Sequence, residues 1–256
     1  MPFVTVGSDN IYYDRGGSDQ GPALVLIHGS GGDHSHWPPE LRDLGEARVF
    51  ALDLPGHGRS QGRGRKSVED YADFIEAFVL KLGLEDVAPA GHSLGGAVVQ
   101  VLALRSPAWL SRIILVGTGA RLRVHPDILK GLQTDPEGTL HKICDWSFGP
   151  DAPQPAVTAA YENFLKTDPA VIHGDYSACD RFDVMDRVGE IAYPGLVVVG
   201  TADRMTPAKY GEYLYRRLSR SRLAVIENGG HMMGLEKPEA LVRCISDFLN
   251  SGDTRK

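Results

Sequence analysis

Three residue types, correctly ordered, can make a nucleophile at neutral pH: a serine on a sharp turn, a histidine to take its proton, and a carboxylate to orient the histidine. Ser93 lies in Pro89-Ala90-Gly91-His92-Ser93-Leu94-Gly95-Gly96, which contains Gly-x-Ser-x-Gly. Residues 86–90 before it form a short, mostly apolar run of strand length, and residues 96–104 after it are rich in Ala, Val and Leu and read as a buried helix. Strand, tight turn, helix is the setting in which this pattern presents a nucleophilic serine. Gly91 and Gly95 then leave space where a Cβ would crowd the turn. Taken alone the pattern is equally an ordinary glycine turn, so a base, an acid and an oxyanion site must be sought elsewhere.

Nine histidines are available as the base. His231, in Asn228-Gly229-Gly230-His231-Met232-Met233, sits between the last strand-like run and the last helical one. His92 adjoins Ser93, but neighbouring side chains diverge at a sharp turn; His28 and His57 read as loop braces at strand ends. The acid is Asp203, which directly follows the strand-like run 195–200, with Glu227 as the rival beside His231. The order Ser93, Asp203, His231 is the one expected of a nucleophile on a strand-to-helix elbow. An oxyanion site needs unobstructed backbone N–H groups. His28-Gly29-Ser30-Gly31-Gly32 follows an apolar strand and holds three glycines in four residues. One donor is expected from this loop, assigned to Ser30 with Gly31 as the nearest rival, and one from Leu94 after the nucleophile.

Alternating elements must hold these residues in place. Strands are expected at Phe3–Val6, 10–14, Ala23–Ile27, 48–54, 112–116, Gly195–Gly200 and 223–226, besides the one before Ser93. Helices are expected at 36–44, from Ser67 as N-cap through Leu82, at 208–218 and at 238–249. Tyr71, Phe74, Ile75, Phe78, Val79 and Leu82 recur at helical spacing on one face. This α/β pattern implies a mostly parallel sheet flanked by helices, with ligands bound outside the carboxyl ends of its strands. Residues 121–188 break the alternation, carry scattered prolines and no clear strand, and are too long for a loop. They are expected to form a helical subdomain inserted into a core of residues 1–120 and 189–256.

Composition narrows the partners. The 256 residues are 42% hydrophobic and 23% charged with a net charge of −6, which disfavours nucleic acid or an anionic membrane as the main partner. No apolar run approaches the roughly 20 residues that span a bilayer, and Met1-Pro2-Phe3-Val4-Thr5-Val6 has no signal-peptide pattern. Cys144, Cys179 and Cys244 are dispersed and form neither a disulfide framework nor a metal site. A cytoplasmic protein with free thiols, acting on a small molecule, is expected.

His28-Gly29-Ser30, Asp53-Leu54-Pro55-Gly56-His57-Gly58-Arg59-Ser60, Gly91-His92-Ser93-Leu94-Gly95, Asp203-x-x-x-Pro207 and Gly230-His231 together resemble the α/β-hydrolase-fold superfamily, and the resemblance covers essentially the whole chain. It implies an eight-stranded, mostly parallel sheet whose second strand is antiparallel, with a helical cap after the sixth strand; 121–188 matches that cap in place. Relatives that open epoxides or displace halide carry an aspartate where this chain has Ser93, so the serine implies acyl transfer to water through an acyl-enzyme. A small, largely apolar carboxylic ester is the leading substrate. Carbon–carbon hydrolysis of diketone-type ring-cleavage products, lactone hydrolysis and thioester hydrolysis are the alternatives, and a receptor-like binder retaining the triad is a further one. Met205 and Met232 beside the catalytic positions, and Trp146, Phe148 and Phe164 in the insertion, are the expected pocket residues. No cofactor is expected, because no GxGxxG follows a strand. No metal is expected either: Asp33-His34-Ser35-His36 lacks the further Asp-His pair of metallohydrolases, although His34 and His36 could still reach substrate.

Overall fold

Eight strands among the described residues form one sheet: β1 (Phe3–Val6), β2 (Asp9–Gly17), β3 (Ala23–Ile27), β4 (Arg48–Leu52), β5 (Val87–His92), β6 (Ile113–Val116), β7 (Gly195–Gly200) and β8 (Ser221–Ile226). The structure, a computed structural model, describes residues 3–251, so Met1 and Pro2 of the N-terminal reading lie outside the described residues. Spatial order is β1-β2-β4-β3-β5-β6-β7-β8. The β1–β2 and β2–β4 pairs are antiparallel and the other pairs are parallel. This is the α/β-hydrolase fold, with its antiparallel second strand.

Alternation along each strand divides the core into two layers. Val25, Ile27, Leu52, Leu115, Val197 and Val199 face one side, where they pack with α1 (Val68–Lys81), α2 (Leu94–Arg105) and Leu214 of a later helix. Leu24, Leu26, Ala51, Ile114, Val116 and Val198 face the other, against Leu41 and the apolar side of the C-terminal helix. Helix α1 starts where Ser67 caps it, its hydroxyl accepting from the Asp70 amide at 3.1 Å. α2 has no polar face: every residue from Leu94 to Ala103 is buried, so the helix is central rather than amphipathic. Pro89 sits in central β5, where a missing N–H is normally excluded. The register offers the reason: the continuous β5–β6 ladder begins only at Ala90, after the proline.

Between β6 and β7 the chain forms α3 (Pro126–Thr134), α4 (Pro136–Ser147), α5 (Gln154–Phe164) and α6 (Pro169–Arg181). Each has a proline in its first turn, where the absent N–H costs nothing. The segment leaves and re-enters the sheet at one neck: Arg121 and Asp183 pair antiparallel, and the Val184 amide donates to Ala120 O at 2.8 Å. Its own apolar cluster unites Ile128, Leu132, Leu140, Ile143, Phe164, Ile172 and Tyr176. The chain ends with α7 (Ala208–Arg217), α8 (Met233–Glu236) and α9 (Pro238–Asn250).

The expected helix over 36–44 is instead two 3₁₀ turns, His34–His36 and Pro39–Asp43, because Pro38 and Pro39 interrupt it. β2 runs three residues past the expected Asp14, pairing with β4 as far as Gly17. Among the described residues no helix is long and apolar enough to cross a membrane.

Leu26 is 1% exposed in the sheet's interior layer. Leu26→Ala should cost about 2–5 kcal/mol and lower Tm by roughly 5–15 °C in calorimetry. Val225, 49% exposed on edge strand β8, should tolerate Val225→Thr within about 0.5 kcal/mol.

Candidate active site

β5 ends at His92 and α2 begins at Leu94, so Ser93 alone makes the turn, at φ 53° and ψ −113°. A non-glycine residue there carries strain of roughly 1–3 kcal/mol and persists only if its surroundings hold it. The Ser93 amide donates to Val116 O at 3.0 Å. The Ser93 carbonyl accepts from the Thr118 hydroxyl at 2.9 Å and from the Gly96 and Ala97 amides at 2.9 and 3.2 Å. A Cβ on Gly91 would lie 2.1 Å from Gly95 O, and one on Gly95 would lie 2.3 Å from Ile27 O. Both glycines are fixed by close backbone approach.

Ser93 and His231 line the same cavity, of about 180 Å³, together with Ser30. His231 Nδ1 is 3.0 Å from Asp203 Oδ2, with both side chains almost wholly buried. Asp203 Oδ1 accepts from the Met205 and Thr206 amides at 2.9 and 2.8 Å, and Oδ2 also accepts from the Thr206 hydroxyl at 2.8 Å. Burial alone would raise the carboxyl's pKa. The facing His231 and the Thr206 donors outweigh burial and hold it below the usual carboxylate value. An ionised Asp203 accepts the Nδ1–H, leaving His231 Nε2 as the ring's free acceptor. The rival Glu227 is exposed at the end of β8, with the Thr201 hydroxyl 3.4 Å away. His92 lies behind this pair: its Nε2–H donates to His231 O at 2.9 Å. Burial, then the nearby His231, lowers the His92 pKa to about 3, so it stays a neutral donor.

The glycine-rich loop after β3 resolves its two rival amides differently. The Gly31 N–H donates to Asp175 Oδ2 at 2.8 Å and is therefore committed. Among the described residues no acceptor takes the Ser30 amide, and Ser30 lines the cavity. Leu94 is the first residue of α2, where an amide has no partner within the helix. Ser93, His231 and Ser30 thus open on one cavity, beside two backbone amides, those of Ser30 and Leu94, that have no partner within their own elements.

Of the expected pocket residues, Trp146 and Met205 line the cavity, with Leu122, Val124, Ile128, Tyr176 and Cys179. Phe148 and Met232 instead pack with Cys144 and Ala160. Phe164 packs in the insertion's cluster and meets the His36 ring edge-on at 5.7 Å. The cavity is also less apolar than expected, since Arg123, His125 and Arg204 stand in its wall. His34 and His36 do not line it: His34 bonds Asp53 at 2.7 Å, and His36 is buried. Asp33, His34 and Asp53 bring potential ligand atoms within 4.8 Å of one another. Asp53 already accepts from the His34 and Arg59 amides and the His34 ring.

Sequence reasoning missed Asp175, Glu236, Thr206 and Cys179. Glu236 accepts from the Gly149 and Gly230 amides at 2.8 and 3.1 Å, tying the end of α4 to the His231 loop. Cys179 Sγ lies 3.7 Å from Ser30 Oγ, and burial pushes its thiol pKa up to about 12. Thr206 had a local signal, lying three residues after Asp203 and just before Pro207.

A model of the alpha/beta hydrolase family matches residues 24–243. A pimeloyl-[acyl-carrier protein] methyl ester esterase of Neisseria meningitidis serogroup B is 30% identical over 247 residues, covering 90% of this chain and 93% of that one. A thermophilic esterase of known structure superposes with a TM-score of 0.85 at 34% identity, covering 96% of each chain. The enol-lactonase of Burkholderia xenovorans shares the fold at a TM-score of 0.88 and 23% identity, over 98% of this chain and 100% of that one.

Because a Cβ at position 95 would lie 2.3 Å from a main-chain oxygen, Gly95→Ala should destabilise the fold by at least about 2 kcal/mol. Chemical denaturation of the variant should show a lowered midpoint.

Proposed function

This chain belongs to the alpha/beta hydrolase family, as the match over residues 24–243 shows, and from that premise we propose that it is a serine carboxylesterase working through an acyl-enzyme on Ser93. One observation carries the reading: a serine held at a strained elbow shares a cavity with a histidine whose Nδ1 lies 3.0 Å from a buried aspartate. Ser93 Oγ attacks the ester carbonyl while His231 Nε2 takes its proton. The amides of Ser30 and Leu94 receive the oxyanion, each donor being worth about 3–4 kcal/mol in the transition state. His231 then returns the proton to the leaving alcohol and activates the water that releases the acid. Asp203 keeps the imidazole in the required tautomer and stabilises its charged form. Residues 121–188 act as the cap that closes over this site, a reading supported by the single neck at Arg121 and Asp183. The free cysteines support a cytoplasmic setting.

The cavity wall refines the substrate. Leu122, Val124, Ile128 and Met205 suit an apolar acyl chain, and about 180 Å³ suits a short one. Arg123 bonds Asp180 O at 2.8 Å, and Arg204 bonds the carbonyls of Asp145 and Phe148. Neither guanidinium meets a carboxylate in those bonds, so an ester bearing an anionic group beyond its acyl chain is favoured over a neutral one. The methyl ester named for the meningococcal relative makes small alkoxy leaving groups the first to try.

A panel of short p-nitrophenyl esters, methyl esters, lactones, thioesters and vinylogous diketones tests the reading. Esters should turn over many times, and Ser93→Ala should lower kcat by about 10⁴-fold or more. Stoichiometric release with slow recovery would favour a receptor-like role, and diketone cleavage with poor ester turnover would favour carbon–carbon hydrolysis. Asp203→Asn should lower kcat by about 10⁴-fold, with Glu227→Gln close to wild type; the reverse would reassign the acid. Arg123→Ala and Arg204→Ala should raise KM for the methyl monoester of a dicarboxylic acid and leave that of a neutral ester unchanged.

A further inference from the structure

Asp175, in the middle of α6, the last helix of the insertion, is completely buried. Its carboxylate is shared by three elements of the core. Oδ2 accepts from the Gly31 amide at 2.8 Å and from His57 Nε2 at 2.9 Å, and Oδ1 accepts from the Tyr71 hydroxyl at 2.5 Å. A buried carboxylate is tolerated only when its charge and lone pairs are met. His57 supplies the charge, because its two ring nitrogens both face acceptors, Pro55 O at 3.1 Å and Asp175. A ring that donates from both nitrogens is an imidazolium. Burial works against that charge, but Asp175 prevails and the His57 pKa lies above the ordinary imidazole value.

The third partner gives the arrangement a catalytic meaning. Residues 29–32 contain three glycines, and Gly31 itself stands at φ +67°. Such a loop has little stiffness of its own. Its other hydrogen bonds are the Thr167 hydroxyl on Gly31 O at 3.3 Å, the Gly32-to-Gly29 turn bond at 3.1 Å, His28 Nδ1–H on Gly29 O at 2.8 Å and Cys179 Sγ at 3.7 Å from Ser30 Oγ. Phe164 and Ile172 pack where a Gly31 Cβ would be, at 3.1 and 3.2 Å. The Ser30 N–H lies in the Gly29–Ser30 peptide, whose oxygen accepts from the Gly32 amide across the turn; anchoring the Gly31 amide inside that turn holds the turn in place, and with it the direction of the Ser30 N–H. The same helix brings Cys179 to the Ser30 hydroxyl and Tyr176 to the cavity wall.

We propose that Asp175 is a positioning residue for the oxyanion site: from the insertion it anchors the Gly31 amide, which leaves the Ser30 amide aimed at the substrate. The proposal rests on the serine-esterase reading above. It makes the insertion part of the catalytic apparatus as well as a cover, since displacing α6 would also displace the oxyanion loop.

Asp175→Asn keeps the side chain's size and removes its charge and one acceptor. With a turned-over ester, kcat should fall about 10- to 100-fold, short of the 10²–10³ for outright loss of an oxyanion donor, while KM stays within about two-fold. Affinity for a trifluoromethyl ketone, whose Ser93 adduct carries an oxyanion, should weaken by the same factor. Affinity for the product acid, which forms no oxyanion, should not change. A loosened fold would weaken both ligands alike, and that outcome, or unchanged kcat, would overturn the proposal. Should the variant fail to fold, the wild-type protein still decides by NMR. The Gly31 amide should be strongly protected from hydrogen exchange, and the His57 ring, faced by Asp175, Asp53 and His28, should carry both protons at pH 7. A fast-exchanging Gly31 amide or a neutral His57 would contradict the anchor. If wild type hydrolyses no ester, the esterase reading fails on its own, and the two NMR observations still test whether Asp175 holds the loop.

Discussion

The whole site depends on one backbone constraint, the turn at Ser93. Its main chain is held at φ 53° and ψ −113° by bonds to Val116, Thr118, Gly96 and Ala97. Those bonds are available because β5 is central, with β6 on one side and β3 on the other, and because α2 is buried around its whole circumference. The sheet and its first helical layer thus set the one residue on which the chemistry would turn. The strain is local and the restraint is distributed.

Buried carboxylates do the remaining alignment. Asp203 fixes the ring of His231, Glu236 joins the His231 loop to the end of α4, and Asp175 joins the glycine loop to α6. Each accepts at least one backbone amide, so each fixes main-chain direction as well as side-chain position. Removing one partner of such a group leaves a costly unpaired charge or donor. The insertion and the sheet are therefore coupled at both loops that flank the cavity, and the geometry above Ser93 depends on where α4 and α6 sit.

Much of the fold was legible because its signals are local. The apolar run Ala23–Ile27, the helical stripe from Tyr71 to Val79 and the Ser67 cap each lie within one element. Ser93, Asp203 and His231 could be proposed from the sequence because each lies within a few residues of the end of a strand. Asp175 was not, since its amide partner Gly31 lies 144 residues away and its neighbours in α6 repeat without a clean apolar face. Phe148 and Phe164 were misplaced for the same reason: an aromatic in the insertion can face the cavity or its own core, and spacing does not say which. The loop amides could be ranked only once the structure showed Gly31 already engaged.

The central claim, that Ser93 is the nucleophile, is tested most directly by covalent labelling with a fluorophosphonate followed by peptide mass spectrometry. One adduct per chain, on the peptide and at the position of Ser93, is the predicted result. Labelling at another residue, or none under conditions that modify a known serine hydrolase, would contradict it.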